Sequence, residues 1–132
     1  MKVGVVSFLD RRNLFAVVGA SANPDKYGYR VYRDLKEAGF QVYPVNPKLK
    51  ELFGERCYSS LRELPRKPDV VVTVVPPEVT ERVVRECAEL GIKKIWMQPG
   101  SESKGALVFC LGKGIEVVHG ACLMVERRRL GP

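Results

Sequence analysis

Phe15-Ala-Val-Val-Gly19-Ala-Ser21-Ala-Asn-Pro24 is a short apolar run that ends in a glycine, a small residue and a serine. Because a helix-like segment follows, the stretch predicts a buried parallel strand whose terminal turn aims backbone N–H groups at a phosphate. The dinucleotide fingerprint Gly-x-Gly-x-x-Gly needs two further glycines, and Ser21 and Pro24 stand at those positions. The turn therefore favours a phosphate-bearing nucleotide other than ordinary NAD.

Five apolar runs bounded by turn residues set the order of the predicted sheet. Their apolar residues are continuous or nearly so, which is typical of strands buried on both faces of a parallel sheet. The first run feeds the Gly19 turn. We predict strands at residues 15–19, 41–45, 69–75, 94–97 and 115–118.

Segments with helical spacing lie between these runs, and glycines end two of them. Alternating strands and helices with short connections predict right-handed crossovers and a parallel sheet with helices on both faces. The expected fold class is therefore α/β, a single doubly wound parallel sheet. Helices are predicted around residues 29–38, 78–90 and 102–112, with a short one near 59–63.

The length of 132 residues predicts one domain, residues 1–132, with a single sizeable core. Residues 1–12 form an N-terminal extension that is either a short helix or an extra edge strand. No apolar run approaches the roughly 18 residues of a membrane helix, and residues 1–9 lack the apolar stretch of a signal peptide. We expect a cytoplasmic protein that does not enter a membrane.

The net charge of +7 leaves nucleic acid, an anionic membrane surface or a polyanionic small molecule as partner classes. The basic residues are scattered along the chain rather than gathered in one arm or helix. Few aromatic residues lie among them, so a stacking platform for single strands is not indicated. The charge therefore disfavours nucleic acid as a partner.

The four cysteines and the single histidine predict no metal site. Cys57, Cys87, Cys110 and Cys122 lie far apart, with no CxxC pair, and His119 alone cannot complete a cluster. We expect four reduced thiols. No Ser/His/Asp arrangement and no carboxylate pair stands out as catalytic machinery, so the sequence favours a binding protein over an enzyme.

The ends of the predicted strands carry the candidate binding residues, because ligands of open parallel sheets bind there. At the first end, Gly19 allows a tight turn, Ala20 keeps the approach uncluttered and Ser21 offers a hydroxyl to a phosphate oxygen. Lys26 follows at a distance that lets it neutralise the same anion. A plain packing turn is the alternative explanation of this pattern.

The second strand end reads Asn46-Pro47-Lys48. NAD-binding enzymes place an acid at this point to hold the ribose hydroxyls, and this chain has none there. Lys48 suits an extra phosphate on the ribose instead, which indicates NADP or coenzyme A. A turn with solvated lysines is the alternative.

Val75 and Pro76 end the third strand with a rigid apolar edge that suits an adenine or a pantetheine arm. Gln98, after the fourth strand, is a polar group that could point into the same crevice. These two signals are weaker than the first two, since a helix start also explains the prolines.

Together these segments resemble the small stand-alone CoA-binding proteins, whose domain is similar to the CoA-binding Rossmann domain of succinyl-CoA synthetase and of NDP-forming acyl-CoA synthetases. The likeness runs from about residue 12 onward. It implies that Gly19, Ala20 and Ser21 hold the pyrophosphate. The blocks that carry it are VVGAS (17–21), VYPVNP (42–47), CYSSL (57–61), VPP (75–77), WMQPG (96–100) and CLMVE (122–126).

By the same resemblance, Asn46, Pro47 and Lys48 meet the 3′-phosphate side of the adenosine, and Val75 with Pro76 flanks the adenine or pantetheine. The expected function is binding of coenzyme A or an acyl-CoA, with a homodimer as a possible assembly. An NADP-type enzyme and a basic nucleic-acid-binding module stay open as alternatives.

Overall fold

The computed structural model describes residues 4–131, and five parallel strands form the sheet at its centre. The strands of this sheet alternate with helices along the chain. In chain order the elements are α1 (Val5–Phe8), β1 (Leu14–Val18), α2 (Tyr27–Glu37), β2 (Gln41–Val45), β3 (Glu51–Leu52), β4 (Glu55–Arg56), a 3₁₀ helix (Leu61–Glu63), β5 (Val70–Thr73), α3 (Pro77–Leu90), β6 (Lys94–Met97), α4 (Lys104–Gly112), β7 (Glu116–Val118) and α5 (Leu123–Arg129).

The order of strands in the sheet is β2-β1-β5-β6-β7, and every neighbouring pair is parallel. The residues of β1 and β5 are all buried because helices cover both faces of these central strands. The edge strand β2 carries Pro44, which lacks a backbone donor and is tolerated at an edge. The chain thus forms the doubly wound α/β fold that the apolar runs predict.

Two hydrophobic cores lie on opposite faces of the sheet. On one face, α1, α2 and α5 cover side chains such as Phe15, Val72 and Trp96. On the other face, α3 and α4 cover side chains such as Val71 and Ile95. We call these the α2 face and the α3 face. Alternate residues of each strand point to opposite faces, so one run of valines serves both cores.

The connection from β2 to β5 differs from the others because it contains no long helix. It consists of the β3–β4 hairpin, whose strands pair in antiparallel fashion, and the short 3₁₀ helix. The hairpin packs on α2, where the Phe53 ring stacks on Tyr32 and meets Tyr29 edge-on. The α3 face is therefore left with less cover beside β1 and β2 than the α2 face has.

The predicted strands are confirmed in place and order, with ends that differ by one or two residues. The extension contains a helix, Val5–Phe8, and residues 1–3 lie outside the described part. The helix expected from near Tyr29 begins at Tyr27, and the hairpin was not predicted because its strands have two residues each. Within residues 4–131, no helix has the length and apolar character needed to cross a membrane.

Candidate functional site

The strand order reverses beside β1, and a cleft opens there at the carboxyl ends of the strands. From β1 the chain moves to β2 on one side, and it later returns to β5 on the other. Such a switch point separates the loops that follow the two central strands and leaves a crevice between them. Two adjacent cavities lie in this crevice, and both are lined by Gly19, Lys26 and Val75.

The larger cavity, which we call the main lobe, has a volume of about 960 Å³ and lies between the loop after β2, the 3₁₀ helix and α3. The smaller cavity, the side lobe, has a volume of about 510 Å³ and lies over the ends of β5 and β6, where Pro99 and Gly100 line it. Together they are large enough for a nucleotide with a long arm.

The turn after β1 is built from two glycines that approach other backbone atoms closely. Gly19 has φ +100°, and a Cβ placed on it would lie 2.3 Å from the carbonyl oxygen of Val74. A Cβ on Gly28 would lie 1.9 Å from the carbonyl oxygen of Gly19. Only glycine fits at either position, so the first turn of α2 packs directly on the Gly19 turn.

The sequence reasoning missed Gly28. Its signal is a glycine within the first turn of a helix, where glycine has no advantage of its own. In the fingerprint of dinucleotide-binding folds one glycine has this task of close helix packing, and here it stands nine positions after Gly19.

Side chains hold the loop between β1 and α2 in shape. Ser21 Oγ accepts a hydrogen bond from the backbone N–H of Asn23 at 3.0 Å, and Asn23 Oδ1 accepts one from Asp25 at 3.0 Å. The helix cap residue Lys26 makes no side-chain capping bond. Tyr27 and Gly28, the first residues of α2, line the side lobe, so the positive end of the helix dipole lies at the cleft, an arrangement that suits an anion.

Asn46 joins the two loops that frame the main lobe. Its Nδ2 donates to the carbonyl oxygen of Ala20 at 2.7 Å, and its Oδ1 accepts from the backbone N–H of Lys48 at 2.8 Å. The Asn46 backbone N–H donates to the backbone carbonyl oxygen of Tyr58 at 2.8 Å. The loop after β2 is thus fixed relative to the Gly19 turn, and it carries Lys48 as an exposed side chain at the cleft.

The main lobe has an apolar floor because no helix covers the sheet between β2 and α3. The buried side chains of Val18, Val45, Leu61 and Val83 form this floor. Val75 and Pro76 form the ridge between the main lobe and the side lobe, since both cavities touch them. A flat ring or an aliphatic arm fits such a surface, whereas a charged group does not.

Basic residues surround the rim of the main lobe: Lys26, Lys48, Arg62, Arg82 and Arg85. Arg62 already pairs with acids of α3, with its Nε 3.5 Å from Glu86 and a second ion pair to Glu89. The Arg85 guanidinium lies over the Phe109 ring at 5.1 Å. Within residues 4–131, no ion pair is found for the side chains of Lys26, Lys48 or Arg82.

Eight of the ten predicted binding residues line the cleft, and two do not. The eight are Gly19, Ser21, Lys26, Asn46, Pro47, Lys48, Val75 and Pro76. Ala20 is fully buried, and its side chain packs in the core of the α2 face instead of lining the cleft.

Gln98 is not among the residues that line the two cavities, although its neighbour Pro99 lines the side lobe. Its side chain is buried, its Oε1 accepts from the backbone N–H of Leu123 at 2.7 Å, and its Nε2 donates to Cys122 Sγ at 3.6 Å. Gln98 therefore holds the start of α5, and its contact with a ligand stays a prediction.

Three of the four thiols are buried, and none of the three is among the residues that line the two cavities. Burial raises the pKa of Cys57 and of Cys87, and it raises the pKa of Cys110 to about 11. A thiol with a raised pKa is a poor nucleophile at neutral pH, because the thiolate is the reactive form. None of these three groups is suited to covalent chemistry.

Comparison with known proteins identifies the family. Residues 13–128 match the family described as CoA binding domain. The chain belongs to this family. A solved structure of a conserved hypothetical protein from Pyrococcus furiosus superposes with a TM-score of 0.83 at 49% identity, covering 86% of this chain and 98% of that one. The family that the sequence blocks resemble is thereby confirmed.

Curated relatives of this CoA-binding domain are of two sizes. The α subunit of an ADP-forming acetate–CoA ligase II from Pyrococcus furiosus is 42% identical over 81 residues, which is 61% of this chain and 18% of the subunit. The uncharacterized protein YneT of Bacillus subtilis is 31% identical over 124 residues, 94% of this chain and 92% of its own length. The chain spans between 11% and 18% of the length of the first three ligase relatives.

Proposed function

We propose that this chain binds coenzyme A or an acyl-CoA in the cleft at the carboxyl ends of β1, β2 and β5. The observation that supports this most is the make-up of the main lobe. It combines a glycine turn against a helix N-terminus, unpaired cations on the rim and an apolar floor in one cavity. Coenzyme A needs all three, since it carries a diphosphate, a ribose phosphate and a long arm of low charge.

In this arrangement the Gly19 turn and the first N–H groups of α2 hold the diphosphate, with Ser21 donating its hydroxyl and Lys26 supplying charge. Lys48 meets the 3′-phosphate of the ribose. The adenine and the pantetheine arm lie against the apolar floor and the ridge of Val75 and Pro76. Asn46 positions the loop that carries Lys48, because both polar atoms of its amide bond the backbone of the two loops.

The proposal is one of binding without a catalytic step of this chain's own. The whole chain acts as one cytoplasmic CoA-binding domain, and the ligand is the substrate or cargo that it holds. The ligase relatives are much longer, so their acetate–CoA ligation is a property of those proteins, which contain far more than this region.

Isothermal titration of the purified protein with CoA and with dephospho-CoA tests the proposal. We expect Lys48→Ala to weaken CoA by about tenfold and dephospho-CoA far less, because only CoA presents the 3′-phosphate. Lys93→Ala is the matched control: Lys93 is exposed and precedes β6, so it lies at the amino ends of the parallel strands, opposite the cleft. Equal losses of affinity for both ligands would show that Lys48 does not contact the 3′-phosphate.

Binding measurements also distinguish the two alternative functions from CoA binding. An NADP-type enzyme requires tight NADPH binding that CoA does not displace. A nucleic-acid-binding module requires an affinity that falls steeply with salt and is untouched by saturating CoA. Non-denaturing mass spectrometry of the protein as purified adds an independent observation, since a bound CoA or acyl-CoA has a characteristic added mass.

A further inference from the structure

We propose that Arg82 is a second cation for the 3′-phosphate of coenzyme A, on the wall of the main lobe opposite Lys48. This inference rests on the proposed function and names a specificity residue within it. The sequence gives no hint of Arg82, which is one of many scattered basic residues. Its position on α3 and the partners of its neighbours single it out.

Arg82 lies on the side of α3 that faces the cleft. Val79, Arg82, Val83 and Glu86 all line the main lobe, and their spacing of three and four residues is that of one helix face. The two valines are partly or fully buried at the apolar floor, whereas Arg82 is exposed at the rim. The guanidinium is therefore carried by a rigid helix at the entrance of the cavity.

The other cations of the rim are occupied or lie elsewhere. Arg62 pairs with Glu86 and Glu89, and Arg85 lies over the Phe109 ring. Lys26 precedes α2 at the Gly19 turn, where both lobes meet, so its charge belongs beside the diphosphate. Among the rim cations of the described chain, Lys48 and Arg82 are then the two available for a further phosphate.

The chemistry of the ligand calls for two cations. A phosphate monoester carries close to two negative charges at neutral pH, so a single lysine leaves it half neutralised. A guanidinium adds paired N–H donors that match two phosphate oxygens, which a lysine ammonium cannot do. A phosphate held between Lys48 and Arg82 also links the loop after β2 to α3 across the mouth of the lobe.

A double-mutant cycle tests the inference, with Lys48→Gln, Arg82→Gln and the double variant titrated with CoA and with dephospho-CoA. We expect Arg82→Gln to weaken CoA by about tenfold and dephospho-CoA by less than about twofold. The two substitutions should be non-additive for CoA and additive for dephospho-CoA, because the shared phosphate couples them. Arg82→Lys should recover part of the loss.

Arg66→Gln is the matched control, since Arg66 is exposed outside the cleft and donates to Gln41 at 3.2 Å. Unchanged thermal unfolding of each variant verifies that the fold is intact. Equal losses of CoA and dephospho-CoA in Arg82→Gln, or an equally large CoA-specific loss in Arg85→Gln, would overturn the role of Arg82 while leaving CoA binding in place. Failure of the unsubstituted protein to bind CoA would overturn both proposals.

Discussion

The two faces of the sheet differ in how they are closed. On the α2 face, polar contacts lock the helices: Arg127 on α5 donates two hydrogen bonds to Asp34 on α2, at 2.6 and 2.9 Å, and Trp96 Nε1 donates to the carbonyl oxygen of Ala121 at 3.0 Å. On the α3 face no covering helix follows β2: the hairpin of that connection packs on α2, only the 3₁₀ helix lies on this face, and the main lobe occupies the remaining space.

We expect this difference to separate the residues that stabilise the fold from the residues that bind the proposed ligand. The α2 face is joined by contacts between residues far apart in the chain, 93 positions for Asp34 and Arg127. The α3 face exposes its apolar floor to a cavity and keeps cations at the rim. Substitutions on the α2 face should therefore change the free energy of unfolding, and substitutions at the cleft rim should change ligand affinity. A substitution in the Gly19 turn should change both the free energy of unfolding and the ligand affinity.

The largest effect is expected at the Gly19 turn, where one substitution should lower both the stability of the fold and the affinity for the ligand. Gly19→Ala forces a Cβ against the Val74 carbonyl at φ +100°, so we expect the free energy of unfolding to fall by about 3 kcal/mol and CoA binding to be lost. Urea unfolding and titration measure the two effects. Gly114→Ala is the control: Gly114 has φ +69° with no atom near its Cβ, so strain alone should cost about 1 kcal/mol. Similar losses in both variants would contradict the close approach.

A smaller effect is expected when the lock between α2 and α5 is broken. Asp34→Asn leaves the Arg127 guanidinium, whose side chain is only 16% exposed, without its carboxylate, and should lower the free energy of unfolding by about 2 kcal/mol. Glu37→Gln removes an exposed ion pair with Arg33 on the same helix and should cost less than about 0.5 kcal/mol. CoA affinity should not change in either variant, and a loss of affinity in Asp34→Asn would show that the two faces are coupled.

Gln98→Leu distinguishes a structural role of Gln98 from the predicted role in ligand binding. The substitution leaves the Leu123 N–H without its acceptor inside the protein, so we expect a loss of about 1.5 kcal/mol in the free energy of unfolding and no change in CoA affinity. Gln41→Leu is the control for the change of residue type, because it removes only an exposed hydrogen bond, the one from Arg66 at 3.2 Å. Weaker CoA binding with an unchanged free energy of unfolding would show that Gln98 contributes to ligand binding.

The smallest effect is expected on the outer side of α4. Leu111 is 83% exposed, so Leu111→Gln should change the free energy of unfolding by less than about 0.5 kcal/mol and leave CoA affinity unchanged. Sedimentation of the unsubstituted protein and of the variant tests whether a homodimer, which the sequence leaves as a possible assembly, forms through this surface. A dimer that dissociates in Leu111→Gln would make this side of α4 its interface, whereas an unaffected dimer would exclude it.

Much of the candidate site could be predicted because its signals are local. An apolar run that ends in a glycine indicates the Gly19 turn. Lys48 is indicated because the end of the second strand has a lysine and lacks the acid that NAD-binding enzymes have there. Both positions follow from the rule that ligands bind at the carboxyl ends of parallel strands. That rule needs only the order of elements, which the apolar runs reveal.

Other residues could not be placed from the sequence because their roles depend on distant partners. Gln98 follows a strand just as a ligand-binding residue does, but it bonds Leu123, 25 positions later. Arg82 is distinguished from Arg62 and Arg85 only by which carboxylates and rings those two meet. Gly28 is explained only by the carbonyl oxygen of Gly19, against which the helix packs.

The sequence by itself determined the α/β fold, the parallel sheet and the end of the sheet where the cleft opens, because periodicity, glycine turns and strand ends are properties of short segments. Only the tertiary structure decided the shape and charge of the cleft. The space beside α3 exists because the β2 to β5 connection folds as a hairpin over α2, held by Phe53 on Tyr32. The charge at its rim depends on which ion pairs form when distant elements meet.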